Sequence, residues 1–101
     1  MRSLDRIKKL PGVKEVMLVE KTGIPAYGKE VALSAMTASL WALGGYFAGR
    51  FMDEPRCVEI NGANVSIFAF PYDDDILLVV ATDESVKNEI RSAMENHGAF
   101  Q

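Results

Sequence analysis

The segment EVALSAMTASLWALGGYFAGRF, residues 30–51, has no charged residue between Val31 and Gly49. A run of this length can form a helix that crosses a bilayer, or a helix of a soluble domain that is covered on more than one side. The choice between these two interpretations decides the fold. A membrane span would separate the segments that precede and follow it, whereas a covered helix would hold them together.

Two apolar stripes run along this helix on a wheel of about 100° per residue. The large stripe consists of Leu33, Met36, Leu40, Leu43, Phe47 and Phe51. The small stripe consists of Val31, Ala35, Ala38, Ala42, Gly45 and Gly49. A helix on the surface of a soluble monomer has one apolar stripe and one charged or polar face. The missing charged face therefore predicts cover on both sides, and the sequence leaves open which stripe faces the rest of the chain.

The soluble interpretation is favoured over the membrane span. Ser34, Thr37 and Ser39 dilute the apolar character, and Ala and Gly supply much of the remainder, so the hydropathy is moderate. A span would also leave two small groups of strands with exposed edges and uncovered faces. A membrane-anchored subunit that uses residues 30–51 as its span is the alternative.

Composition predicts one globular domain, residues 1–101, because 49% of the residues are apolar and 25% are charged. The net charge of −3 and the dispersed basic residues argue against nucleic-acid binding. Cys57 is the only cysteine, so it cannot form an internal disulfide, and a reducing, cytoplasmic location is expected. A chain this short gains stability from association, which makes an oligomer a reasonable expectation.

Strand and helix signals around the central helix predict the order α-β-β-α-β-β-β-α. The predicted strands are residues 13–20, 24–27, 56–60, 65–70 and 76–82. The first and last of these are nearly continuous apolar runs, which are typical of central strands covered on both faces. We therefore predict an α+β sandwich: a five-stranded antiparallel sheet, with the long helix on one face and two shorter helices on the other.

No constellation for catalysis, a cofactor or a metal stands out. The sequence lacks the phosphate-binding pattern G-x-x-x-x-G-K-[ST]. Asp73, Asp74 and Asp75 are adjacent in a strand turn and cannot all converge on one ion, so a solvated turn is predicted. His97 is the only histidine and is interpreted as a helix-end residue. The prediction is a protein that is not an enzyme and has no cofactor or metal.

The chain resembles the roadblock/dynein light chain family over nearly its full length. The resemblance rests on Pro11-Gly12-Val13 leading into the first strand, the Thr22-Gly23 hairpin turn, the small-residue-rich central helix and the late ILLVV strand at residues 76–80. It implies a dimer in which the third strands pair edge to edge and the long helices pack together. It also implies a scaffold or regulator of Ras-like small GTPases, or a motor accessory subunit.

Two groups of residues are candidate contacts. Small side chains let two helix backbones approach closely, and an identical helix is the simplest partner. The predicted dimer contacts are therefore Ala35, Ala38, Ala42, Gly45 and Gly49 on the helix, with Arg56, Cys57, Val58, Glu59 and Ile60 on the strand seam that the resemblance implies. Tyr46 and Arg50 are candidate partner contacts, and Trp41 is either a partner anchor or a core residue.

These predictions combine into a homodimeric, non-enzymatic adaptor that binds a small GTPase or a related assembly. Besides the membrane-anchored subunit, the alternative is a small-molecule-sensing domain, since five-stranded sheets with flanking helices also hold small ligands.

Overall fold

The structure, a computed structural model, describes residues 2–27 and 31–95, with side-chain surroundings for residues 4–24 and 32–95. The elements are α1 Arg2–Lys8, β1 Val13–Val19, β2 Pro25–Tyr27, α2 Val31–Gly49, β3 Val58–Asn61, β4 Ser66–Tyr72, β5 Asp75–Ala81, a 3₁₀ turn Glu84–Val86 and α3 Lys87–Glu95. The predicted α+β class, with an antiparallel sheet and three helices, is confirmed. His97, predicted to be a helix-end residue, lies outside the described residues.

The five strands form one antiparallel sheet in the order β2-β1-β5-β4-β3. β5 lies at the centre, and most of its residues are buried, as its continuous apolar run requires. β2 and β3 are the two edge strands of the described sheet. Pro25 begins β2, an edge position where a residue without an N–H group is tolerated.

The larger part of the core lies between the sheet and the two shorter helices. Phe68, Phe70 and Leu77 point to this side from β4 and β5. Ile7 of α1 and Ile90 of α3 are fully buried against them. The 3₁₀ turn that precedes α3 is capped by Asp83, whose Oδ1 accepts hydrogen bonds from the backbone N–H and the hydroxyl of Ser85. Those hydrogen bonds, chiefly the one from the hydroxyl, lower the pKa of Asp83.

The second part of the core lies under α2. Met17, Val19, Ala69, Ile76 and Leu78 are buried in the sheet on this side. Leu33 and Trp41 of α2 pack against them. This cluster is small for a helix of 19 residues, so α2 buries only one narrow side against its own sheet.

Apart from Leu33 of the large stripe, that narrow side belongs to neither of the two predicted stripes. It runs between them and includes Ser34 and Thr37, which are buried, Trp41, and Gly44, which packs against β3. The hydroxyl of Thr37 donates a hydrogen bond of 2.7 Å to the carbonyl oxygen of Leu33, so its burial leaves no unpaired donor. These small or internally bonded side chains allow the helix to lie close to the strands. The large and small stripes therefore form the two flanks of α2.

Two predicted strand boundaries were wrong by two residues, and the others differ from the structure by one residue at most. β3 begins at Val58 rather than Arg56, because the connection after α2 contains Pro55 and reaches the sheet only opposite Ala69. β4 continues through Pro71 to Tyr72 rather than ending at Phe70. β3 does not extend alongside this end of β4, so Pro71 lies where an unpaired edge tolerates proline. The last helix begins at Lys87, after the 3₁₀ turn.

Candidate self-association surface

The side of α2 that faces away from the sheet is covered with exposed apolar side chains. We call this set the α2 outer surface: it consists of Met36, Leu43, Tyr46 and Phe47 on the helix and of Phe51 and Met52 just after its end. Their exposed fractions run from 53% for Leu43 to 96% for Met52. Soluble monomers rarely expose contiguous apolar patches of more than a few hundred Å² unless the patch is a binding site. The α2 outer surface is therefore the leading candidate site.

The free edge of β3 adjoins this surface. β3 pairs with β4 on one side only, so its other edge presents unpaired backbone groups within the described sheet. A Cβ atom built on Gly44 would lie 2.6 Å from Cγ2 of Val58, which places the C-terminal half of α2 directly over β3. Ile60, further along β3, is 48% exposed. The β3 edge therefore lies next to α2, with unpaired backbone groups on the strand and exposed apolar side chains on the helix.

The small stripe has neighbours within its own chain. A Cβ atom built on Gly23, in the β1–β2 turn, would lie 3.6 Å from the Cα of Ala35 and 3.8 Å from the Cβ of Ala38. Ala42 and Gly45 line a cleft together with Lys21. Ala35, Ala42 and Gly49 remain exposed, while Ala38 and Gly45 are partly buried. The small stripe accordingly lies beside the hairpin turn and the cleft.

The predicted seam residues divide into two groups. Val58, Glu59 and Ile60 lie in β3, as predicted. Arg56 is exposed and Cys57 is partly buried, but both lie in the connection before the strand, so their assignment to the strand was wrong. Cys57 packs against the cluster under α1 and α3, and this burial raises the pKa of its thiol.

An ion pair ties β3 to α3. Nζ of Lys87 donates a hydrogen bond of 2.7 Å to Oε1 of Glu59, and Nδ2 of Asn61 donates one of 2.8 Å to Oε2. These two hydrogen bonds, the one from Lys87 first, lower the pKa of the Glu59 carboxyl. The side chains of Lys87 and Glu59 are 32% and 22% exposed, so solvent weakens the pair.

A pH-dependent loss of stability follows from this ion pair. Because folding lowers the pKa of Glu59, its contribution is present above the ordinary carboxyl pKa of 4.5 and is lost as the pH falls through the lowered value. Lys87→Gln is expected to lower the free energy of unfolding by up to about 1 kcal/mol at pH 7 and by a smaller amount near pH 3. Urea unfolding at both pH values measures this, with Lys14→Gln as the control. An equal cost at both pH values would contradict it.

The cleft next to the small stripe is polar and open. It has a volume of about 890 Å³ and is lined by both basic and acidic side chains, among them Lys21, Arg56, Arg91 and Glu95. The guanidinium carbon of Arg91 lies 5.9 Å from the centroid of the Phe70 ring. Within residues 2–27 and 31–95, no group of three or more His, Cys, Asp or Glu side chains could hold a metal ion. The alternative of a small-molecule-sensing domain stays a prediction.

The candidate partner contacts occupy different surroundings. Trp41 packs against the cluster under α2 and has another side in the cleft, so it serves as a core residue at the cleft wall. Tyr46 is 63% exposed, and its ring meets Phe47 edge-on with the centroids 6.1 Å apart. Arg50 is exposed just beyond the end of α2. Sequence reasoning left Leu43, Phe47 and Met52 out of the candidate contacts, although the first two belong to the large stripe.

The family model of the Roadblock/LC7 domain matches residues 2–82. The chain belongs to the Roadblock/LC7 family. A search of curated proteins finds no match. No helix among residues 2–27 and 31–95 combines the length and the apolar character needed to cross a bilayer.

Three solved structures illustrate the shared fold. The Roadblock/LC7 domain from Streptomyces avermitilis has a TM-score of 0.77 and 16% identity, covering 94% of this chain and 91% of its own. Myxococcus xanthus MglB has a TM-score of 0.78 and 23% identity, covering 93% of this chain and 87% of its own. A third structure, of MglB in a tetrameric arrangement, has a TM-score of 0.76 and 19% identity; the match covers 94% of this chain and 82% of the MglB chain. At identities this low, these similarities show a common fold and nothing further.

Proposed function

We propose that this Roadblock/LC7 protein is a homodimeric, non-enzymatic adaptor of the cytoplasm that binds a Ras-like small GTPase. The observation that carries the proposal is the α2 outer surface next to the free β3 edge, because both are features that a second protein surface would cover. Family membership supports an adaptor role, and the MglB relative with a tetrameric arrangement is itself an assembly of several chains.

The second copy is proposed to cover the large stripe. Covering apolar surface gains roughly 25 cal/mol per Å². Phe47 and Phe51 are 60% and 83% exposed, so each has far more apolar area to cover than any alanine of the small stripe. Small residues favour close backbone approach, which supports the small stripe as the competing proposal. The two proposals are separated by the substitutions described in the Discussion.

A dimer with its two-fold axis at the β3 edge would include both the free edge of β3 and the large stripe of α2 in one interface. In such a dimer the same residues of both copies face each other, so β3 would pair with its own copy and extend the sheet. Ile60 on β3 and the large stripe of α2 would then meet their counterparts. This arrangement removes one exposed sheet edge and covers the large stripe in the same step, and it leaves Tyr46 and Arg50 outside the contact between copies.

The GTPase is proposed to bind the exposed surface that the dimer leaves free. Tyr46 and Arg50 are the proposed contacts, because both are exposed and because tyrosine and arginine are enriched in protein–protein interfaces. The proposal rests on the family to which the chain belongs.

Binding to a defined GTPase tests the partner. Purified Ras-like GTPases from the same organism, loaded with GDP or with a non-hydrolysable GTP analogue, are passed over the immobilised protein in an interferometry assay. We expect one GTPase to bind with at least about tenfold preference for one nucleotide state, and the double variant Tyr46→Ala/Arg50→Ala to bind at least about tenfold more weakly. Asn88→Ala, on the exposed part of α3, is the control. Absence of binding to every such GTPase would contradict the proposed partner.

A further inference from the structure

The cleft next to the small stripe brings basic and acidic side chains together around one aromatic ring. Lys21 just after β1 and Pro71 near the end of β4 place the cleft at one end of the sheet. Its volume of about 890 Å³ lies in the range of small-molecule sites. The basic residues that line it are Lys21, Arg56 and Arg91, and the acidic residues are Asp53, Glu54 and Glu95. The two signs balance, so the lining favours neither a simple anion nor a simple cation.

Arg91 is a partly buried cation without a counter-charge. Its guanidinium carbon lies over the Phe70 ring, 5.9 Å from the centroid, which helps to hold the group in place. Its Nε is buried and has no hydrogen-bond partner among the described residues, and none of their carboxylates pairs with it. The Glu59 carboxylate pairs with Lys87 instead, and the thiol of Cys57, which interacts with the guanidinium group, is only a weak acceptor. A cation in this state is suited to binding a carboxylate.

Glu95 provides the opposite charge one turn further along α3. Residues four apart share one side of a helix, so the carboxylate of Glu95 and the guanidinium group of Arg91 are neighbours. They do not form an ion pair, and arginine followed by glutamate is the less favourable order for such a pair. Glu95 is exposed, so its carboxylate is open to a ligand in the cleft.

Trp41 provides an apolar wall. Its ring packs against the buried cluster under α2 and also lines the cleft, so the wall is supported from behind. The cleft therefore combines a group for a carboxylate, a neighbouring group for an ammonium ion, and an aromatic surface for an apolar side chain.

We propose that this cleft binds a free α-amino acid with an apolar side chain. The carboxylate of the amino acid binds Arg91, its ammonium group binds Glu95, and its side chain packs against Trp41. An anion without an ammonium group would face the three acidic residues uncompensated, and a cation without a carboxylate would face the three basic ones. The proposed dimer covers the large stripe, so the cleft beside the small stripe stays open and every chain carries its own site.

L-Phenylalanine and L-leucine are the probes that test this inference. Trp41 is the only tryptophan of the chain, so its fluorescence, excited where phenylalanine does not absorb, reports binding at the cleft. We expect at least one of the two amino acids to bind with a Kd below about 1 mM, with titration calorimetry as the second measurement. Phenethylamine, which lacks the carboxylate, should bind at least about tenfold more weakly than L-phenylalanine, and phenylpropionate, which lacks the ammonium group, at least about threefold more weakly.

Substitutions on α3 assign the two charges. Arg91→Gln is expected to weaken binding at least about tenfold, and Glu95→Gln about threefold. Glu89→Gln is the control, because Glu89 is exposed on the same helix but does not line the cleft. Circular dichroism checks that each variant is folded. The exposed position of Glu95 keeps the test decisive even if Arg91→Gln does not fold.

Three results would overturn the inference. The first is no binding of either amino acid at concentrations up to about 10 mM. The second is equal binding of phenylpropionate and L-phenylalanine, which would show that the ammonium group is not recognised. The third is an equal loss of binding in Glu95→Gln and Glu89→Gln, which would place the ligand elsewhere. Each readout concerns a single chain, so these results leave the proposed dimer and its GTPase partner to be tested separately.

Discussion

Substituting glutamate for Phe47 is expected to convert a particle of two chains into single folded chains. Phe47 is 60% exposed in the middle of the α2 outer surface, so the fold of the single chain does not depend on it. In a two-fold dimer the substitution would place one carboxylate from each copy in an apolar contact without a partner. Leaving a charge buried and unpaired costs about 3–5 kcal/mol, so association should weaken by at least a hundredfold. Sedimentation velocity measures the particle, and circular dichroism checks that the chain is folded.

Ala42→Glu is the matched control, because it places the same charge on the same helix but on the small stripe. Ala42 is exposed and borders the polar cleft with Lys21, so a carboxylate there stays in water. We expect this variant to keep the two-chain particle. The reverse result, with Ala42→Glu dissociated and Phe47→Glu intact, would assign the contact between copies to the small stripe instead.

Gly44→Ala is expected to lower the free energy of unfolding by about 1–3 kcal/mol. An added Cβ atom would lie 2.6 Å from Cγ2 of Val58, a distance that forces α2 away from β3 or Val58 out of its position. The valine is branched at Cβ and its χ1 angle has few alternatives, so it cannot easily give way. Urea unfolding at one fixed chain concentration measures the change.

The neighbouring glycine provides the control for this prediction. A Cβ atom on Gly45 would meet nothing within 4 Å, and alanine is favoured over glycine inside a helix by about 1 kcal/mol. Gly45→Ala should therefore leave the free energy of unfolding unchanged or raise it. If both variants lose the same amount of stability, the close approach of α2 to β3 is not what selects glycine at residue 44.

Much of the fold could be predicted from apolar periodicity. The continuous apolar run that became β5 predicted a buried strand, and β5 lies at the centre of the sheet. The uncharged central helix predicted cover on more than one side; within its own chain α2 is covered on one side, and the second cover stays a prediction. The side of α2 that packs on the sheet could not be predicted, because it carries Ser34 and Thr37, which count as polar in any wheel. The hydroxyl of Thr37 is satisfied within the helix itself, so its burial carries little penalty.

The candidate site was harder to predict from the sequence than the fold. Both stripes of α2 are apolar, and only their positions in the structure distinguish the strongly exposed Phe47 from Ala38, which lies against the hairpin turn. The left-handed conformation of Met52, at a φ of 59°, was also not predicted, since methionine carries no sequence signal for it. β3 begins two residues later than predicted because apolar alternation does not show where the connection after α2 reaches the sheet.

The mass of the purified protein tests the central claim most directly. Light scattering on detergent-free protein, measured over a concentration series in the micromolar range, is expected to give twice the chain mass of 11.1 kDa. The dimer should persist at moderate salt, because the proposed contact is apolar and hydrogen-bonded rather than ionic. A mass of one chain at every concentration would contradict the account.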